Sequence, residues 1–162
     1  DAFQLVSERV CLMMTPRGVS DVEVYTPERV FARYGLTPQQ IPDFIALKGD
    51  SADNIAAVPG IGEKTAAQLL AKYGSLDGVL AHTAELSPAR RKALDEHADS
   101  ARAAKALATL RRDLELGPEI DVQKLASRPP DRTDMLETFR KFELKRLLER
   151  VALLEAAIPA AR

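Results

Sequence analysis

The string Val58-Pro-Gly-Ile-Gly-Glu-Lys-Thr-Ala66 constrains this chain more than any other stretch. Two glycines around one apolar residue let the backbone reverse tightly while Ile61 anchors the turn in a core. A helix must then begin at once, running from about Glu63 to Tyr73 and closed by Gly74. Its first amides have no partner within the helix. Gly60 and Gly62 carry no side chains to keep an anion away from those amides, and Lys64 adds a positive charge in the first turn.

Two readings of the string stand. It can be a tight helix–helix connection with a glycine cap and Lys64 as a solvated charge. It can also be a helix–hairpin–helix turn in which Gly60, Ile61, Gly62, Glu63, Lys64 and Thr65 hold backbone phosphate and bind DNA without regard to sequence. The full string favours the second. It lacks the spacing of a Walker loop, and no strand precedes it as a dinucleotide fingerprint requires.

The remainder predicts a mainly α chain. Aromatic residues are 5% with no Trp, and alanine is abundant over 52–108, so the core is expected to be aliphatic and built of closely packed helices rather than a β-sandwich. Thr26-Pro27 and Thr37-Pro38 each place a capping hydroxyl before a proline at the first helical position, and Gln40 completes a capping box with Thr37. Helices over 27–34 and 38–48 follow, then a short element over 51–57. Ser75 opens a helix to about His82, and Ser87-Pro88 opens a long one reaching Leu110. The stretch 117–132, with Gly117, Pro118, Pro129 and Pro130, reads as a connection. Apolar residues from Met135 to Leu154 mark one or two final helices. The one β region is a hairpin, Arg9–Thr15 and Val19–Tyr25 around Pro16-Arg17-Gly18.

Gly49-Asp50-Ser51-Ala52-Asp53-Asn54 sets two carboxylates three residues apart. Asp50 as an N-cap with Asp53 in the first turn is one reading. The other is a site for hard divalent cations, Mg²⁺ or Mn²⁺, beside the phosphate-holding turn. A site for two such ions needs several converging carboxylates, and this chain offers Asp50, Asp53 and Asp1, so a complete two-metal site is not expected within it.

The net charge of −1 conceals local imbalance, since the stretch 88–112 is basic. That stretch reads equally as a solvated helix face or as a duplex contact. Cys11, alone, cannot form an internal disulfide and is expected in the core; His82 and His97 stand apart from other ligand types. No apolar run has membrane-spanning length. The absence of an initiator Met and of partners for the hairpin leads us to expect the later part of a larger protein.

Asp1-Ala-Phe-Gln-Leu-Val6, the hairpin, Tyr34-Gly-Leu-Thr-Pro38, Ala46-Leu-Lys-Gly-Asp-Ser-Ala-Asp-Asn54 and Val58–Ala66 together resemble the bacterial 5′-nuclease family, the 5′→3′ exonucleases related to flap endonucleases. The resemblance covers nearly the whole chain. It implies a helix–hairpin–helix (SAM-like) subdomain over 27–116, preceded by the edge of an α/β nuclease domain over 1–26 and followed by a connection and helices over 117–162. It implies that Asp1, Asp50 and Asp53 are metal-site aspartates, Asp1 matching the second aspartate of the family's Gly-Asp-x-Asp pair. It also implies a Mg²⁺- or Mn²⁺-dependent phosphodiesterase of the bacterial cytoplasm acting on nicked or 5′-flap DNA, with K⁺ at the hairpin and a polymerase domain in the same parent chain. By itself the chain is expected to be inactive, since the family's other acidic residues lie upstream of the Asp1 match. Ala56-Ala57 stands where the family has Pro-Gly, which raises local helix propensity. A non-catalytic DNA-binding module with capping aspartates, and a helical protein-interaction domain, are the competing expectations.

Overall fold

The computed structural model describes residues 1–115, 117, 120 and 131–153. Most of the connection expected over 117–132, and Leu154 of the final helices, lie outside the described residues. The chain forms two compact units, Asp1–Asp113 and Leu114–Arg162.

The first unit begins with a 3₁₀ turn, Ala2–Leu5, and an antiparallel hairpin of β1 (Leu12–Met14) and β2 (Glu23–Tyr25), paired Leu12 to Tyr25 and Met14 to Glu23. The strands are shorter than the alternation predicts, and Cys11 lies outside β1 and is exposed, not in the core. Helix α1 (Pro27–Tyr34) starts at Thr26, whose hydroxyl accepts from the Arg29 amide, and ends at Gly35 in the left-handed conformation. The helix expected over 38–48 divides into a 3₁₀ turn, Pro38–Gln40, and α2 (Ile41–Lys48).

Every residue of α2 from Ile41 to Leu47 is buried. Its sequence is apolar nearly all round, the pattern of a helix enclosed on every side. Around it pack α3 (Glu63–Tyr73), α4 (Leu76–Ala81) and α6 (Ala98–Ala108). Phe44, Leu47, Leu70, Leu76 and Leu94 fill one aliphatic core, sealed by the small residues Ala66, Ala101 and Ala104. A second cluster, Val6, Tyr25, Val30, Ile41, Ile45 and Ala108, fastens the hairpin and α1 to the opposite side of α2.

Two sequence expectations fail here. No helix forms over 51–57: residues 51–54 are turn, Asp50 and Ile55 exchange backbone hydrogen bonds at 2.9 and 2.8 Å, and Asn54 takes φ 56°. The helix propensity of Ala56-Ala57 yields to this pairing and to the bond from the Val58 amide to Leu47 O at 3.0 Å. The long helix expected from Pro88 to Leu110 is instead α5 (Pro88–Glu96) and α6, broken at His97 with ψ 14°.

In the second unit Asp131 caps α7 (Arg132–Lys141) by accepting from the Thr133 and Asp134 amides, and α8 (Lys145–Leu153) follows. Among the described residues no helix is long and apolar enough to cross a membrane.

Candidate functional site

Gly49 sets the acidic loop. Its φ of 74° lies in the left-handed region, and an added Cβ would come 2.6 Å from Ala57 N and 2.8 Å from Ile55 O. Only glycine lets the two backbone segments pass this closely. The loop is thereby pressed against the end of α2, and Asp50 Oδ1 accepts from the Ala52 amide at 3.0 Å, folding Ser51 to Asn54 into a tight turn.

Asp1 arrives from the other end of the unit. Gln4, buried, donates through Nε2 to Asp1 O at 3.1 Å and to Ala108 O at 2.9 Å, and its Oε1 accepts from the Leu110 amide at 3.0 Å. One side chain thus ties the first turn to the end of α6. Each of Asp1, Asp50 and Asp53 then offers a carboxylate oxygen within 4.8 Å of the other two. Asp50 is half-buried and the other two are exposed. Three hard oxygen donors at this spacing match the ligand preference of Mg²⁺ or Mn²⁺. There is no helix over 51–57 for Asp50 and Asp53 to cap.

The glycine turn lies on the same unit. Ile61 is buried and its amide donates to Val58 O at 3.0 Å, anchoring the turn as the sequence predicts. Gly60 has φ 77°, a conformation glycine adopts without strain. Gly62 is different: its φ is −92°, and an added Cβ would meet nothing within 4 Å. Nothing among the described residues demands glycine there, and the surface beside the amides of α3 is left open. No side chain caps the start of α3, and the amides of Glu63, Lys64 and Thr65 have no acceptor among the described residues. Lys64 is exposed beside them.

A cavity of about 320 Å³ adjoins the carboxylates, with Asp1, Asp50, Glu63, Arg33, Lys48 and Tyr34 in its wall. Burial pushes the Tyr34 hydroxyl up from its ordinary pKa, with the Arg33 charge opposing, so it stays a neutral phenol. Arg33, Lys48 and the Glu63 side chain escape sequence reasoning, because only the fold brings α1, the end of α2 and the start of α3 to one place. The sole local signal is Lys48, which directly precedes Gly49-Asp50.

The other charges are largely paired. Arg91 and Lys92 of α5 meet Asp95 and Glu96 one turn on, at 3.6 and 3.8 Å. Arg111 and Arg112, at the end of the basic stretch 88–112, lie beyond α6; Arg111 is 3.9 Å from Asp113, and Arg112 donates to Gln4 O at 2.5 Å. His82 stacks on Tyr73 at the end of α3 and bonds Gly78 O through Nδ1, and His97 Nδ1 bonds Ala93 O.

A family model described as "5'-3' exonuclease, C-terminal SAM fold" matches residues 36–133, more than half of the chain. The chain is 40% identical over 152 residues to the DNA polymerase I of Bacillus caldotenax, a match covering 93% of this chain and 17% of that protein. It is 39% identical over 151 residues to the DNA polymerase I of Mycobacterium bovis, covering 93% of this chain and 16% of that one. It is also 39% identical over 160 residues to the thermostable DNA polymerase I of Thermus thermophilus, covering 98% of this chain and 18% of the other. The chain therefore spans less than a fifth of the length of these relatives.

Proposed function

Since the chain belongs to the 5′-3′ exonuclease family with the C-terminal SAM fold, we propose that it is the DNA-gripping and metal-edge portion of a metal-dependent 5′→3′ exonuclease or flap endonuclease. In this reading Asp1, Asp50 and Asp53 hold a divalent ion. The turn Gly60–Gly62, the amides of Glu63, Lys64 and Thr65 and the Lys64 ammonium hold duplex phosphate, in the manner of a helix–hairpin–helix. The parent protein, like the polymerases it resembles, would carry a polymerase domain and act on nicked or 5′-flap DNA in replication and repair.

The observation that carries the reading is the convergence of three carboxylates from distant or folded-back segments on the same unit as an uncapped helix start. A divalent ion bound there would neutralise phosphodiester charge and lower the pKa of a bound water. The residues of this chain do the positioning. Gln4 and Gly49 fix the carboxylates, and Ile61 fixes the turn. Backbone amides contact phosphate oxygens and not base edges, so binding is independent of sequence.

The test is a DNA titration at two salt concentrations combined with Mn²⁺ binding followed by electron paramagnetic resonance. Affinity for duplex should fall with salt, and Lys64→Ala should reduce the slope by about one. Asp50→Asn with Asp53→Asn should abolish Mn²⁺ binding while leaving duplex affinity in EDTA unchanged. Salt-independent binding, or Mn²⁺ retained by the double variant, would overturn the reading. On a 5′-flap substrate with Mg²⁺ the 162-residue chain should show little or no cleavage, because its three carboxylates suit one ion better than two.

A further inference from the structure

The cavity beside the carboxylates carries charges of both signs. Asp1, Asp50 and Glu63 line it together with Arg33 and Lys48. Among the described residues neither Arg33 nor Lys48 has a carboxylate within 4.0 Å, in contrast to the paired cations of α5, α6 and the hairpin. Each is nevertheless held in place. The Arg33 guanidinium donates to the Tyr25 hydroxyl and lies over the rings of Tyr34, Tyr25 and Phe3 at 5.1, 5.5 and 5.9 Å. Lys48 Nζ donates to Gly49 O at 3.2 Å and lies 5.4 Å from the Phe44 ring centre.

We infer that this cavity receives a phosphate of the DNA strand, bound by Lys48 and Arg33 next to the metal-holding carboxylates. The inference rests on the proposed function and adds to it a second phosphate contact, distinct from the glycine turn. Three carboxylates outweigh two cations in the wall, so the empty cavity repels an anion. Adding one divalent charge to Asp1 and Asp50 reverses the sign, and the pre-positioned guanidinium and ammonium then become a matched site for one phosphodiester. Phosphate at this place is thereby coupled to the metal, whereas phosphate at the glycine turn is not. The aromatic faces around Arg33 keep its guanidinium ordered before any ligand arrives, which lowers the entropy lost on binding.

Fluorescence anisotropy of a labelled 5′-flap duplex, with Ca²⁺ or with EDTA, separates the two contacts. Lys48 is the residue to change, because its side chain is half-exposed and closes no core. Lys48→Gln should weaken binding about three- to tenfold in Ca²⁺ and reduce the salt slope there by about one, with no change in EDTA. Lys48→Arg should restore the native affinity. Lys64→Gln, in contrast, should weaken binding in both media. If Lys48→Gln binds as the native chain does in Ca²⁺, or loses equally in EDTA, while Lys64→Gln behaves as expected, the metal-linked phosphate contact is wrong and the proposed function stands. If the native chain shows no salt-dependent binding in either medium, both fall together.

Discussion

Lys105 Nζ lies 2.7 Å from Asp43 Oδ1, and the same oxygen accepts the Leu76 amide at 2.9 Å, so one buried carboxylate ties α2 to α6 and to the start of α4. Asp43 is the one charged residue within the buried run of α2. Asp43→Ala should cost about 2–4 kcal/mol, because it strands a buried amide and removes the partner of a cation that is itself only one-third exposed. Lys105→Met should cost less, since the remaining carboxylate keeps its amide donor. Urea unfolding of both variants checks the order.

Gly49→Ala should be among the most damaging single-methyl changes in the chain. Its Cβ would sit 2.6–2.9 Å from three backbone atoms of Ile55 and Ala57, and a left-handed φ adds further strain. A loss of about 3 kcal/mol or more is expected, together with at least a tenfold drop in Mn²⁺ affinity as the Asp50–Asp53 loop lifts away. Calorimetry and paramagnetic resonance on the same sample read both effects.

Gly62→Ala should do the opposite to stability. Its φ suits any residue and its Cβ would point into open space, so the fold should be unchanged or stabilised by up to about 1 kcal/mol through the unfolded state. DNA affinity should nonetheless fall about tenfold, since the methyl stands where phosphate would meet the amides of α3. A variant with unchanged Tm and unchanged DNA affinity would remove the glycine turn from the binding surface.

Gln4→Leu should separate the two ends of the metal site. It leaves Ala108 O and the Leu110 amide without their Gln4 partner and takes from Asp1 O one of its two donors, the Gln4 backbone amide remaining at 3.1 Å, costing about 2–3 kcal/mol. Mn²⁺ affinity should fall even though no carboxylate has been altered. The residual affinity should then depend on Asp50 and Asp53 alone.

What the sequence makes legible is local. Thr26-Pro27, Ser75 and Gly74 announce the bounds of α1, α4 and α3 through capping and glycine chemistry, and the structure has those bounds. The loop over 51–57 was illegible because its conformation is set by long-range contacts: Gly49 against Ala57, and Val58 bonded back to Leu47. Helix propensity at Ala56-Ala57 cannot compete with those. The break at His97 has no glycine or proline to mark it. Spacing alone pairs Asp50 with Asp53, and the family resemblance joins Asp1 to them, but neither shows that Arg33 and Lys48 face the same cavity. Proximity across so many residues is a property of the packed core alone.

Gln40 gives the arrangement one more property. Its Oε1 accepts from the Thr37 amide at 3.0 Å while its Nε2 donates to Leu70 O at 3.2 Å and Gly74 O at 2.8 Å, fastening the far end of α3 to the turn that leads into α2. The helix that begins at the glycine turn and the helix that ends at the acidic loop are therefore braced at their opposite ends by a single amide. Neither can slide without the other. In the proposed function that brace turns the unit into a gauge: the stride from the gripped phosphate to the carboxylates is fixed in the protein, and the DNA must bring the right linkage to it.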